Sequence, residues 1–334
     1  MAYQALMNNS AYIQAESDRR AGDFVQADAG YAEALAEASS PAQAARIRSR
    51  QAQLKILEGD VLAAIVLYKQ AAAETGAEPH IRAGAVASMG QLYGWSFHDP
   101  AVTAEIFKDA PYTAMRVEGD EAVSYRHLYE YASLIYPMPL ANVLIADWYA
   151  RQLLVSTSSP EAVSYKTAVQ RRLAAADTGL SARMARPLWY QDGPSLVPDT
   201  LAHKAIVIGL MVRAGLLPAS AREEAYQKAI DAYLMYGSPP AADSLARLTY
   251  AGFLALTYGK ARTSDISVAL APLSTPTYAR SQAVRFLKKL PASLTVGYPE
   301  QKGYMQALAG IDPDFKQLLV SLGWTADDLS YRAG

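Results

Sequence analysis

The sequence predicts an all-α protein: stacked helical hairpins of the α-solenoid type, followed by a further α-helical region. Three observations predict it. The first is an internal repeat. Gly22-Asp23-Phe24-Val25-Gln26-Ala27, followed by Tyr31 and Ala34, returns as Gly59-Asp60-Val61-Leu62-Ala63-Ala64, followed by Tyr68 and Ala71, each position 37 residues on. A turn pair, a small residue, an aromatic and another small residue at matched spacing describe one helical hairpin used twice. Such a hairpin cannot bury its apolar face alone, so hairpins stack. The second is a set of helix starts. Ser40-Pro41, Asp99-Pro100, Ser159-Pro160, Thr275-Pro276 and Asp312-Pro313 each place a capping oxygen before a proline. The side chain accepts from an otherwise unpaired N–H, and the missing proline N–H costs nothing in the first helical position. Ser220 with Glu223 reads as a capping box. The third is periodicity. Tyr226, Ile230, Tyr233 and Leu234 before Gly237, Leu245, Leu248, Gly252, Phe253 and Leu256 before Gly259, and Phe315, Leu318, Leu319 and Leu322 before Gly323 are helical stripes with glycine stops. Alternating apolar and polar runs are nearly absent; Leu294-Thr295-Val296 is the nearest, and it is too short to make a strand.

The elements fall into three regions. Residues 1–117 hold the hairpins: two clear ones over 8–78, then a degenerate pair, Ile81 to Tyr93 and Pro100 to Lys108. Residues 118–186 read as degenerate helical repeats, because Glu121-Ala122-Val123-Ser124-Tyr125 recurs 40 residues later as Glu161-Ala162-Val163-Ser164-Tyr165. Arg186 to Pro198 holds three prolines and a glycine without a period, the pattern of a long loop or domain break. Residues 199–334 form a C-terminal helical region of about five helices without a visible repeat.

Composition narrows the function classes. The 334 residues suffice for one long solenoid or two compact domains, and 51% hydrophobic against 19% charged residues suits a large ordered core. A net charge of −1 gives no electrostatic case for nucleic acid or an anionic membrane. The absence of cysteine excludes disulfides, thiolate metal sites and a cysteine nucleophile. The most apolar run, Ala205 to Val212, is far shorter than the ~20 residues of a membrane span and reads as a buried helix segment. Met1 to Arg20 lacks an apolar core behind a basic start, so it does not read as a secretory signal, and the expected location is cytoplasmic. The Ala-rich, Cys-free composition is of a bacterial type.

The repeated pattern resembles the tetratricopeptide (TPR) helical repeat, over about residues 8–78. Ala15, Gly22, Ala27, Tyr31 and Ala34 fill that family's places in the first repeat, and Ala52, Gly59, Ala64, Tyr68 and Ala71 in the second. Helices in a hairpin approach closely only where side chains are small, and an aromatic fills the gap to the next hairpin. The chain departs from the family in three ways. Ala11 and Arg48 stand where a large aromatic is usual, the repeat-end prolines are displaced to Pro41 and Pro79, and the period of 37 exceeds the usual 34. The resemblance implies that first helices line a concave groove. The groove-facing places are then Asn9, Tyr12, Glu16, Arg19 and Arg20, followed by Arg46, Ser49, Arg50, Gln53 and Ile56. Four of these are arginines, which fork onto carboxylates. The carboxylate-clamp subfamily would want Lys and Asn where Tyr12 and Glu16 stand, so the groove does not look like a chaperone-tail receptor.

No catalytic motif survives inspection: there is no phosphate-binding Gly-Lys-Ser/Thr loop, dinucleotide fingerprint, His-Glu-x-x-His or Gly-x-Ser-x-Gly. His127 lies near Tyr125, Tyr129 and Glu130, but helix-face packing accounts for the tyrosines. The 22 tyrosines exceed the 6 phenylalanines, and most of them, like Tyr31 and Tyr68, read as plugs between hairpins. Trp95, Trp148, Trp189 and Trp324 are spread out and read as core. The expectation is therefore a non-enzymatic adaptor or scaffold without metal or cofactor. It would bind another protein or peptide, an acidic one, through Tyr12, Arg19, Arg20, Arg46, Arg50 and Gln53. Two rivals stand beside it. One is a structural subunit of a multi-subunit assembly, with these arginines solubilising a face or pairing with Glu16 and Glu58. The other is an all-α toroid enzyme acting on polysaccharide, for which no acid–base pair is visible.

Overall fold

The computed structural model describes residues 6, 8–96, 99–156, 159–185, 196–236, 245–271, 284, 287–288 and 298–330. Among these every regular element is a helix and none is a strand. The chain divides into two compact units, Met1–Asn142 and Val143–Gly334.

The first unit is built from the repeat. Helices α1 (Ser10–Ala21) and α2 (Phe24–Ala36) form one hairpin, and α3 (Pro41–Glu58) and α4 (Val61–Ala73) form the next. In each, the Gly-Asp pair performs two tasks. Gly22 (φ 85°) and Gly59 (φ 89°) end the first helix in the left-handed region, where a Cβ is strained, and their N–H groups return to Arg19 and Ile56 carbonyls. Asp23 and Asp60 then accept from the Gln26 and Ala63 N–H groups and start the second helix. Ala27, Tyr31 and Ala34, with their counterparts Ala64, Tyr68 and Ala71, are all buried. The helices of the first hairpin meet at Gly30, where a Cβ would lie 3.0 Å from that of Ala15 and 3.3 Å from the Ala11 carbonyl oxygen.

Hairpin packs on hairpin through α2 against α3. Ile47 and Leu54 of α3 enter the core of the first hairpin, while Ser10 and Ser17, at the corresponding places of α1, are exposed. The third pair is α5 (Pro79–Ser96) and α6 (Pro100–Phe107); α5 packs on α3 and α4, and α6 on α4. Helix α7 (Glu121–Ile135) then lies on α5, with tyrosines over glycines: a Cβ at Gly90 would come within 3.0 Å of the Tyr129 ring, and one at Gly94 within 2.4 Å of Tyr125. These tyrosines are packing residues, as their spacing suggests.

Helix α8 (Pro139–Val155) opens the second unit, followed by α9 (Glu161–Met184), α10 (Leu196–Arg213), α11 (Ala219–Tyr236), α12 (Leu245–Tyr258), α13 (Thr263–Leu270), α14 (Tyr298–Ile311), α15 (Pro313–Ser321) and α16 (Ala326–Leu329). One core joins α8, α9 and α10 through Val143, Ala150, Val169, Val207 and Leu210, so the apolar run of α10 is a buried helix segment. Another centres on Tyr226, which stacks on Phe253 at 4.7 Å and donates to the Tyr304 hydroxyl at 3.1 Å. A Cβ on Gly252 would lie 2.3 Å from the Tyr304 Cβ, so this crossing of α12 and α14 needs glycine. Gly323 (φ 96°) ends α15 and lets Trp324 turn back into the same core.

Helices α3, α6 and α15 begin at the capped prolines, and α9 begins directly after Pro160. Thr275-Pro276, Leu294 to Val296, Trp189, the Trp95 side chain and the Gly237 stop lie outside the described residues. Two expectations are corrected. Ser220 is no cap: α11 already begins at Ala219, with the Pro218 carbonyl accepting from Ala221, so Ser220 and Glu223 sit inside its first turn. The loop read over Arg186 to Pro198 ends early, because α10 starts at Leu196; Pro198 falls in its first turn, where a missing N–H breaks no helical bond. Residues 186–195 are outside the described set. Among the described residues no helix is long and apolar enough to cross a membrane.

Replacing Ala27 or Ala64 by leucine overpacks a fully buried helix contact and is expected to cost roughly 1–3 kcal/mol in urea unfolding. Wild-type midpoints for both variants would show that the helices do not meet there.

Candidate protein-binding site

The site begins in α1. Tyr12, Glu16 and Arg19 follow one another at helical spacing, and the Asn9 side chain anchors the helix start by accepting from the Tyr12 N–H at 2.7 Å. Glu16 is the centre. Its Oε2 accepts from Arg19 Nη2 at 2.8 Å and its Oε1 from the Tyr31 hydroxyl of α2 at 2.5 Å. Arg19 Nε also donates to that hydroxyl oxygen at 3.2 Å. From α3, Arg50 brings its Nε to 3.4 Å from Glu16 Oε1 and 3.4 Å from the Tyr12 hydroxyl, which accepts from it. Arg50 Nη1 donates to Gln53 Oε1 at 2.8 Å. Arg20 reaches Glu16 only at 3.9 Å.

Tyr12, Arg19, Arg50 and Gln53 are therefore brought together around one carboxylate that joins both hairpins. Their exposures separate them. The Arg19 side chain is 8% exposed, Arg50 32% and Arg20 75%. Arg46 stands apart from this cluster, half-buried, with Nη2 3.3 Å from His80 Nε2 of α5. Two further basic residues of α3 are paired: Arg48 with Glu74 at the end of α4, within the second hairpin, and Lys55 with Glu58 of its own helix at 3.0 Å and with Asp28 of the first hairpin at 2.7 Å.

Burial alone would raise the Glu16 carboxyl. The charges of Arg50 and Arg19, with the hydrogen bonds from Arg19 and Tyr31, outweigh it and hold the group below its ordinary value. Burial and the Glu16 charge push the Tyr31 hydroxyl well above its ordinary range, so it stays a donor. For Arg50, burial acts to lower the value, and Glu16 with Tyr12 more than offsets this.

Tyr31 belongs to this site without being marked by the sequence as part of it, and His80 belongs to the separate Arg46 contact. Tyr31 was legible as a plug between hairpins, yet its hydroxyl is a polar contact; the signal was Glu16 and Arg19 three residues apart on the buried side of α1. His127, the alternative acid–base candidate, lies between the Met115 carbonyl at 3.4 Å and Arg126 at 3.0 Å. Among the described residues no group of three or more His, Asp or Glu is placed to hold a metal ion. No protein-family model, curated protein or solved structure matches the chain.

Glu16→Gln leaves the Arg19 charge buried beside a neutral group and is expected to cost roughly 3 kcal/mol, at the low end for a broken buried pair because Arg50 remains partly solvated. Tyr31→Phe removes one charge-assisted hydrogen bond, about 1.5–3 kcal/mol. The sign with pH follows from the lowered carboxyl. The contribution is complete above its ordinary value of 4.5 and is lost as pH falls through the folded value. Denaturant melts of wild type and Glu16→Gln should therefore converge on acidification; parallel curves would remove Glu16 from the account.

Proposed function

We propose that this protein is a TPR-like helical-repeat adaptor, a scaffold that binds an acidic segment of another protein through the first-helix face of its N-terminal hairpins. One observation carries the reading: three arginines, Arg19, Arg20 and Arg50, approach a single carboxylate, so pairing with Glu16, which the subunit reading expects of them, accounts for one positive charge and not for three. That ratio leaves net positive charge on a face whose outer members, Arg20 and Arg50, are solvent-accessible, with Arg46 one turn along α3. Hairpins that stack second helix on next first helix, and α3 on α5, support a continuous first-helix surface. Arginine suits the task, since its planar fork holds a carboxylate through two hydrogen bonds. Contacts at a solvated rim give modest, salt-weakened affinity.

A second reading is favoured by a different feature. Val25 and Leu62 occupy equivalent places on the two second helices and are 76% and 42% exposed, with Val66 a turn further along α4. Exposed apolar side chains at a repeated place of the second helices suit a subunit that buries those helices against a neighbour.

The adaptor reading expects Arg46→Glu with Arg50→Glu to keep the fold and to lose at least tenfold in affinity for the partner recovered by pull-down, about 1.4 kcal/mol. The assembly reading expects Val25→Glu with Leu62→Glu to convert an oligomer into a monomer by light scattering. Unchanged affinity in the first variant, with a mass shift in the second, would replace the adaptor by the subunit.

A further inference from the structure

Resting on the adaptor reading, we infer that Arg50 alone among the clustered arginines is the pre-oriented ligand contact, and that it takes an aspartate or glutamate side chain of the partner, while Arg19 is a structural residue. The two arginines share a carboxylate and differ in what is left over. Arg19 spends Nε on Tyr31 and Nη2 on Glu16 inside the hairpin, and its side chain is nearly sealed from solvent. A ligand could reach it only by dismantling the contact between α1 and α2.

Arg50 is held and still accessible. A guanidinium has five N–H donors in one plane. The Nε donor is directed at Tyr12 and Glu16, and one Nη1 donor at Gln53. Among the described residues Nη2 has no partner, so its two N–H groups and the second one of Nη1 remain for a ligand. The residues that fix the plane come from both sides: Tyr12 and Glu16 from the first hairpin, and Gln53 one turn along α3. Holding a flexible side chain in its bound geometry before the ligand arrives removes an ordering cost from binding. Arg20 lacks this. It is largely exposed and touches Glu16 only at 3.9 Å, so it contributes long-range attraction that salt screens.

The chemistry selected is a carboxylate and not a cation or a neutral amide. The groups left over on Arg50 are all donors, and the acceptors nearby, Glu16 Oε1, the Tyr12 hydroxyl and Gln53 Oε1, are already engaged. Glu16 balances one positive charge, so the second needs an anion from outside.

The test uses the full chain and two probe peptides in calorimetry: hexa-aspartate with both ends blocked, and a neutral hexapeptide with a free C-terminal carboxylate. The blocked acidic peptide should bind and the neutral one should not. Arg50→Lys keeps the charge and loses the fork, and should weaken binding about tenfold, the worth of one charge-assisted hydrogen bond. Gln53→Leu keeps every charge and should weaken it about threefold by releasing the plane of Arg50. Arg20→Ala should lower affinity at low salt and have no effect at high salt. Circular dichroism melts confirm that each variant folds. If Arg50→Lys and Gln53→Leu bind as wild type while Arg46→Glu with Arg50→Glu does not, the orientation of Arg50 is irrelevant and this inference falls with the adaptor reading intact. If only the neutral peptide with the free end binds, the ligand class is wrong. If wild type binds neither peptide, the adaptor reading itself fails, and this inference with it.

Discussion

The N-terminal architecture depends on how closely two helices can approach at a small residue. Ala15 against Gly30, and Ala27 and Ala64 within their contacts, bring backbones near enough for Tyr31 and Tyr68 to be buried. The Gly-Asp turn makes that approach repeatable. A left-handed glycine stops one helix and an aspartate starts the next, with nearly the same backbone angles at both turns. Larger residues at the crossing would separate the helices, and with them the α1 and α3 side chains that meet at Glu16. The polar cluster is downstream of the packing.

That cluster also shows how the repeat has diverged within its frame. Glu16 and Gln53 hold the same place in successive hairpins, as do Arg19 and Ile56. In the first hairpin these places are filled by a buried ion pair satisfied by a tyrosine; in the second they hold a neutral amide, Gln53, which accepts from Arg50, and the apolar Ile56. A buried pair is a poor source of net stability, because desolvation offsets most of the Coulomb gain. Its value lies in position. The pair leaves a third charge, Arg50, oriented by groups from another helix and open at one edge.

The same unit presents two unlike faces. First helices carry arginine, glutamine and tyrosine. The outward stripe of α2 and α4 carries Val25, Leu62 and Val66 among alanines. The 37-residue repeat brings each helix type back in the next hairpin, so its exposed residues recur at equivalent places. The proposed adaptor and assembly readings therefore draw on different helices of the same unit.

Much of this was local enough to read directly. The Gly-Asp turns, the capped prolines Pro41, Pro100 and Pro313, the buried alanines and the exclusion of strands all follow from backbone preference and period, which a sequence states outright. The errors were also local in kind. Ser220 looked like a cap because Glu223 stands three residues on, but the helix begins before it, and Pro198 looked like a loop residue although a first helical turn tolerates it. What the sequence could not state was which groups meet across elements. The sequence presents the six candidate residues as one set, and only the tertiary structure sorts them: Arg19 closed inside the hairpin, Arg50 shared between hairpins, Arg46 with His80, Arg20 in solvent. Charge and spacing are properties of the chain. Burial and hydrogen-bond partnership depend on where the next helix lies, and that is decided by packing at residues such as Gly30, which carry no charge at all.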